Sequence, residues 1–401
     1  MKRVLMFSPD IIDARMAGTG LRFWEISHAL ARRGFAVTLA VPDKTTRISD
    51  RVEIAVHGFH HGTCLRLAKA ADVVVTQGFA LFHVPVLREA PRPMAFDLYA
   101  QFVIENLQTF HLAPAEERLQ HYQSSASVLH DQLRRGDFFY AGSERLRDYF
   151  LGMLVALGRA TAAAHAADPT LRQLIDVVQT GLPAVEPRHT RPVLKGVVPG
   201  IGPGDTVLLW NGGIWEWFDP LLPIRAMANV VRTRPDLKLF FISRGHPNPR
   251  LKAGGLPPVY ERAVNLAREL GLLDRHVFFN QDWVPYDERA NYLLEADIGV
   301  SAHLNSVETT LVARTRLLDC FWAELPVLVT GGDTLAEDVV APAGLGYVVP
   351  PGDEPAWTEA LLTLAAEPDR RERRRAAFAR LKAELTWEEV VEPLARFCER
   401  A

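Results

Sequence analysis

The chain is predicted to be an α/β protein built from two doubly wound halves. Three observations carry that expectation. Short apolar runs of strand length alternate with segments of helical periodicity, the pattern of a parallel sheet with crossover helices. The alternation stops in a stretch crowded with proline and glycine between Pro183 and Gly204, and then starts again. The 401 residues suffice for two or three domains.

In the first half, residues 4–7 read as a buried strand and residues 8–19 as a loop. Residues 21–33 have helical spacing, with Leu21, Trp24, Ile26, Ala29 and Leu30 apolar, and Gly34 stops the helix. Residues 36–41 form the next strand and complete a βαβ opening. Strands follow at 72–76 and 93–96. Residues 105–157 are charged, with few breaks, and read as mostly helical, a cap on the first domain. In the second half, strands are expected at 206–210, 237–243, 276–280, 298–301, 327–330 and 346–349, with helices between them. The domain boundaries expected are 1–190, a linker at 191–205, and 206–385. No repeat of solenoid period is visible.

Composition narrows the class. Hydrophobic residues make up 48% and charged residues 23%, as in soluble globular enzymes. A net charge of -3 gives no basis for nucleic-acid binding. Cys64, Cys320 and Cys398 are far apart and show no metal-ligand spacing, so a reduced, cytoplasmic protein is expected. No stretch approaches the roughly 18 consecutive apolar residues of a spanning helix. The start, Met1 to Ser8, has too short an apolar run for a signal peptide. Arg370, Arg371, Arg373, Arg374, Arg375, Arg380 and Lys382 make one basic stretch. It is either a solvated helix surface or a face for anionic lipid, which keeps peripheral contact with the inner membrane face among the expectations.

The densest chemistry lies between two predicted strands, from Glu308 to Asp319. In open parallel sheets, ligands bind where the carboxyl ends of the strands meet the following loops. Arg314 and Arg316 offer guanidinium forks that match phosphate oxygens. Glu308 and Asp319 can accept hydrogen bonds from sugar hydroxyls, and Thr309 adjoins them. Together these residues suggest a sugar-nucleotide site. Other candidates stand at strand ends. Gly18 and Gly20 precede the first helix, where backbone can approach a bound anion. Gly212 and Gly213 open the second half's first loop, and Trp215 and Trp217 add flat surfaces that serve either a ligand or the core. Arg244 is a phosphate-ligand candidate, and His246 beside it could touch the donor or be structural. Val284, between Asp282 and Pro285, sits where backbone groups meet a nucleotide base. Asp97 ends a strand and either orients or deprotonates an acceptor hydroxyl or caps the helix that follows. Asp43 after the second strand would suit a dinucleotide, but the first loop lacks the third glycine of that fingerprint.

These pieces together resemble the family 4 glycosyltransferases, which have the GT-B fold. Gly18-Thr19-Gly20 before a helix ending Leu30-Ala31-Arg32-Arg33-Gly34 is similar to the family's opening. The passage from Glu308 to Pro326 is similar to its donor-binding signature, and Thr386 to Val390 resembles the start of its last helix. The resemblance implies two Rossmann-like domains facing a central cleft. The first is the acceptor side, the second the donor side, and the final helix, 386–401, packs back on the first. It also implies transfer from a nucleoside-diphosphate sugar with retention of configuration, no bound metal and no cofactor. Counting back from Pro326 puts the ribose-binding acid at Asp319 and leaves Glu308 by the donor sugar, on a longer loop than usual. The family's arginine and lysine in the second domain's first loop are missing, so Arg244, Arg314 or Arg316 must supply that charge. The acceptor expected is a sugar, a lipid-linked molecule or a natural product. The alternatives are a sugar-nucleotide epimerase or hydrolase of the same fold, and a degenerate protein that binds nucleotide sugar without turnover.

Overall fold

A computed structural model describes residues 1–252 and 255–401. The chain divides into two compact units, Met1–Gly181 with Leu385–Ala401, and Leu182–Glu384. Each holds one parallel sheet.

The first unit has seven strands: β1 (Arg3–Phe7), β2 (Ala36–Val41), β3 (Glu53–Val56), β4 (Val73–Gln77), β5 (Met94–Leu98), β6 (Phe138–Ala141) and β7 (Ile175–Val177). Their spatial order is β3-β2-β1-β4-β5-β6-β7. The direction of winding therefore reverses between β1 and β4. Strands β4 and β5 are buried at every residue, as expected where helices cover both faces of a parallel sheet. The first helix runs Gly18–Arg32, three residues earlier than its apolar periodicity suggested. Gly18 and Gly20 are thus its first turn rather than a free loop. A Cβ on Gly20 would stand 2.3 Å from the Ile11 carbonyl oxygen, so only glycine allows the loop to lie against the helix there.

The segment expected to be helical from 105 to 157 is three helices and a strand: Phe102–Thr109, Ala115–Arg135, β6 and Glu144–Ala156. β6 was hidden because a four-residue apolar run fits a strand and a buried helical turn equally well. β3 and β7 were also not foreseen. β3 is a partly exposed edge strand, and β7 has only three residues.

The C-terminal residues complete this unit. Phe397, on the helix Glu392–Arg400, stacks on Phe138 of β6 at 4.9 Å. Arg33 bonds the Glu392 carboxylate and the Glu388 carbonyl. A Cβ on Gly181 would lie 2.7 Å from the Trp387 Cα, which is why the chain can pack so closely there.

The second unit has six strands: β8 (Thr206–Trp210), β9 (Leu237–Phe241), β10 (Val277–Phe279), β11 (Ile298–Ser301), β12 (Val327–Thr330) and β13 (Gly346–Val349). Their order is β10-β9-β8-β11-β12-β13, with the reversal between β8 and β11. Trp210 and Trp357 are fully buried in its core. The proline-rich segment before β8 is held against this unit. Glu295 accepts from the backbone N–H groups of Val193, Leu194 and Lys195, at 2.8, 2.8 and 3.0 Å. Asn291 takes the Thr190 N–H at 2.7 Å, and Trp322 donates to the Val185 carbonyl at 2.7 Å.

Part of the basic stretch near the end of this unit turns inward, while Arg373, Arg375 and Arg380 stay exposed. Arg371 donates to the carbonyls of Ala323, Leu293 and Ala296, and Arg370 to those of Leu364 and Ala365. Arg374 pairs with Glu367, Arg375 with Glu372, and Lys382 with Glu186 and Glu324. Most of these charges serve structure. Among the described residues no helix is long and apolar enough to cross a membrane.

One buried ion pair anchors the first unit. Arg22 bonds both oxygens of Asp97, at 2.7 and 3.3 Å, and also the carbonyls of Val178 and Gln179. Neither side chain is more than 1% exposed. Removing one partner strands a buried charge, so Arg22→Met should cost about 3–5 kcal/mol in urea unfolding. The double variant Arg22→Met/Asp97→Leu should recover most of that loss. Equal stability of the single variant and the parent would contradict the pairing.

Candidate functional site

The predicted site residues of the second unit gather at the carboxyl edge of its sheet, around the reversal between β8 and β11. Two loops meet there. Residues 211–219 follow β8, and residues 302–315 follow β11. They are stitched together by the Asp219 N–H to the Ala302 carbonyl at 3.0 Å, the Leu304 N–H to the Trp217 carbonyl at 3.3 Å, and a bridge between Phe218 and His303.

Arg316 begins the helix Arg316–Trp322 and reaches across this seam. It donates to the Gly213 carbonyl at 2.7 Å and lies 3.8 Å above the Phe218 ring. Gly212 has φ +116, and a Cβ there would sit 3.5 Å from the Arg316 guanidinium carbon. Gly212 stands beside the arginine, while a Cβ on Gly213 would lie 2.5 Å from the Trp215 ring, so it is the tryptophan that needs glycine there. Trp210, at the end of β8, donates to the same Gly213 carbonyl at 3.3 Å.

Glu308 lies in the first turn of a short helix, Val307–Leu311, whose N-terminus is capped by Ser306. It does not face open solvent as a free carboxylate. Arg314 binds both of its oxygens, with Nη1 to Oε1 at 2.8 Å and Nη2 to Oε2, and the pair is buried. Arg314 also lies 5.0 Å from the Phe218 ring centroid and reaches Thr309 Oγ1 at 3.3 Å. The acid and the arginine proposed as separate ligands are therefore partners. Asp319 is likewise engaged. Arg289 donates to its Oδ1 at 3.0 Å and Asn211 to its Oδ2 at 3.2 Å. Arg289 is itself held between Tyr286, at 3.6 Å, and Trp322, at 4.6 Å.

Beneath these groups lies a buried polar chain. His303 meets Ser301 Oγ at 3.2 Å and Thr330 Oγ1 at 3.0 Å. Burial, reinforced by Arg314 and Arg316, holds its imidazole well below the ordinary value, so it is neutral. Asp333, just past β12, accepts the N–H groups of Leu335, Ala336 and Arg314 through Oδ1. Its Oδ2 finds no donor among the described residues. Burial pushes this carboxyl up to about 6, against the pull of Arg314 and those N–H groups.

The remaining candidates are spread along the same edge. Trp215 lies 6.4 Å from Trp217 and 5.7 Å from His246, which is 6.2 Å from Trp283. Arg244, after β9, reaches Gln281 at 3.1 Å. Val284 is buried in the loop after β10. In the first unit, Gly18 and Gly20 sit in the first turn of the opening helix, and Asp97 is engaged by Arg22 rather than capping the next helix, which starts after Gln101. Asn211, Phe218, Arg289, His303 and Asp333 were not foreseen. Asn211, His303 and Asp333 lie within a few residues of a strand end, a position that could have flagged them. Arg289 carries no such signal.

No protein-family profile matches the chain, and no curated protein matches its sequence. Solved structures do. Sucrose-phosphate synthase from Thermosynechococcus elongatus superposes with a TM-score of 0.68 at 14% identity, over 100% of this chain and 99% of that one. HepE from Anabaena, in complex with UDP and glucose, gives 0.67 at 12% identity, over the whole of both chains. WaaG, a glycosyltransferase of lipopolysaccharide biosynthesis, gives 0.62 at 14% identity, over 99% and 100%. The likeness is one of fold: the chain has the GT-B fold, two α/β units each with a parallel sheet.

Asp333 makes the stability of this region depend on pH. Its carboxyl holds a proton more tightly when folded than at its ordinary value of 3.8. The stabilisation is therefore fully present below about pH 4 and lost as pH rises through about 6, a change of ~3 kcal/mol. Asp333→Asn should remove that slope from a series of urea midpoints. His303 gives the opposite slope and lies 3.7 Å from Asp333, so the pair of curves is recorded in a His303→Asn background, where only residue 333 differs. Parallel curves would contradict the assignment.

Proposed function

We propose that the protein is a retaining, metal-independent glycosyltransferase of the family 4 type, taking a sugar from a nucleoside-diphosphate donor to an acceptor hydroxyl. The observation that carries this reading is the assembly of Arg316, Arg314, Glu308 and Asp319 at the β8–β11 reversal, on a fold shared with a glycosyltransferase of lipopolysaccharide biosynthesis and with a protein solved in complex with UDP and glucose. Arg316, held over Phe218 at the glycine loop, is placed to meet the diphosphate, with Gly212 and Gly213 allowing close approach. Arg314 shares its charge between Glu308 and that diphosphate. Asp319, steadied by Arg289 and Asn211, accepts from the ribose hydroxyls. Glu308 and Thr309 face the donor sugar. Arg244, Trp215, His246 and Val284 border the nucleotide.

In the reaction the bond from the anomeric carbon to the diphosphate oxygen breaks as the acceptor oxygen bonds to the same carbon on the same face. The acceptor's proton passes to the leaving diphosphate. No protein base is then required, which suits an Asp97 whose oxygens are both taken by Arg22. Charge developing on the leaving group is stabilised by the arginines, preorganised before reaction begins. Acceptors of sugar, lipid-linked or natural-product type remain consistent with this chemistry. An epimerase or hydrolase on the same fold would consume donor with no acceptor present.

The mutual neutralisation of Glu308 by Arg314 and of Asp319 by Arg289 favours one second reading, a nucleotide-sugar binding protein without turnover. Thermal shift against UDP, GDP, dTDP and ADP, with and without EDTA, tests both. One diphosphate should stabilise the protein, and the shift should survive EDTA. Asp319→Ala should weaken that binding by about tenfold, the scale of one charge-assisted hydrogen bond. Arg316→Ala should lower turnover far more than it lowers the melting temperature. No shift with any diphosphate on folded protein would sink the proposal, and binding without release of nucleoside diphosphate would leave the second reading.

A further inference from the structure

The carboxyl edge of the first unit's sheet carries a row of aromatic rings that the donor chemistry does not use. They come from the segments that follow three strands. Phe59 follows β3, Phe79, Phe82 and His83 follow β4, and Phe102 follows β5. Phe59 lies 5.2 Å from His83, His83 5.4 Å from Phe82, Phe82 6.3 Å from Phe79, and Phe79 5.4 Å from Phe102. These rings are not core. Phe82 is 56% exposed, His83 is exposed, and the others are half-buried.

Phe59 is placed at some expense to the backbone. Its φ is +55, a left-handed conformation that side chains other than glycine rarely adopt. A fully buried histidine braces it. His57 Nε2 lies 3.0 Å from the Ser8 carbonyl, which can only accept, so Nε2 carries the proton. Nδ1 is then an acceptor, and it takes the Phe59 N–H at 3.0 Å. The imidazole stacks on Phe7 at 4.1 Å and meets the Phe59 ring edge-on at 4.8 Å. Strained backbone held by buried structure is a mark of a functional position.

The charge of the row tells what it would take. Residues 57–60, 78–83 and 99–102 include no Asp, Glu, Lys or Arg. A phosphate or carboxylate would find no counter-charge within these segments, and Arg22, 5.2 Å from the Tyr99 ring, is buried and already paired with Asp97. A sugar carries hydroxyls all round its ring and would leave most of them unpaired against phenyl groups, whereas a single hydroxyl needs one partner, which the exposed His83 imidazole can be. An uncharged aromatic ring matches both the apolar faces and their electropositive edges. We infer that this row of rings is a subsite for an uncharged aromatic alcohol, with Phe59 and Phe82 setting its specificity. Its role as the acceptor subsite rests on the transfer reading above.

Isothermal titration with 1-naphthol tests this, with methyl glucoside and dodecyl phosphate as competing probes. The full chain should bind 1-naphthol in preference to both. Phe82→Ala should weaken binding by about fivefold or more. Phe59→Gly removes a ring while relieving the left-handed strain, so the variant should stay folded and still lose affinity. Unchanged 1-naphthol affinity in both variants, or preference for either competing probe, would overturn the inference. Both variants should keep the stabilisation by nucleoside diphosphate, whose residues lie in the other unit. Ring-dependent naphthol binding with no response to any diphosphate would leave the subsite standing and remove the transferase reading. Diphosphate binding without ring-dependent naphthol binding would do the reverse.

Discussion

Phe218 lies beside two guanidinium groups at once. Arg316 sits 3.8 Å from its ring and Arg314 5.0 Å, and both belong to the stretch that follows β11. A cation over an aromatic face is attracted by the ring's quadrupole, more strongly where water is excluded. Two like charges would not otherwise be brought so close. Phe218 and its bridge to His303 allow the loops after β8 and β11 to close on each other. The Arg316 bond to Gly213 crosses that seam, and so does the contact between the Phe218 and His303 rings.

On the proposed transferase reading, the positive charge that the loop after β8 lacks is supplied across this seam by Arg314 and Arg316. Glu308 keeps Arg314 oriented, and the Gly213 carbonyl with the Phe218 ring keeps Arg316 oriented. Buried arginine pairs need such counter-charges, since an unpaired guanidinium would be costly to desolvate. Glu308 and Asp319 each hold an arginine in place, Arg314 and Arg289.

Much of the architecture was legible because local chemistry and burial agree. Strands β2, β8, β11, β12 and β13 lie where their apolar runs put them, bounded by polar residues or glycine. Residues with a strong local signature, such as the arginines flanking Thr315, were singled out for the same reason. β6 was not, since Phe138–Ala141 is too short for periodicity to separate strand from helix. The basic stretch from Arg370 to Lys382 looked like a surface feature. Arg373, Arg375 and Arg380 are exposed, but Arg370 and Arg371 cap carbonyls and Lys382 pairs with acids from other parts of the chain.

The sequence by itself determined the class of fold, the place where the αβ series restarts, and which residue types stand at strand ends. Those follow from hydrophobic spacing and from turn-forming residues, which act over a few positions. Partnership was decided only by tertiary structure. Arg289 meets Asp319, Arg22 meets Asp97, and His57 braces Phe59 against Ser8 across separations that no local pattern encodes. The ring row on the first unit is of the same kind. Its members are scattered between residues 59 and 102, and only the parallel sheet brings the ends of β3, β4 and β5 to one edge.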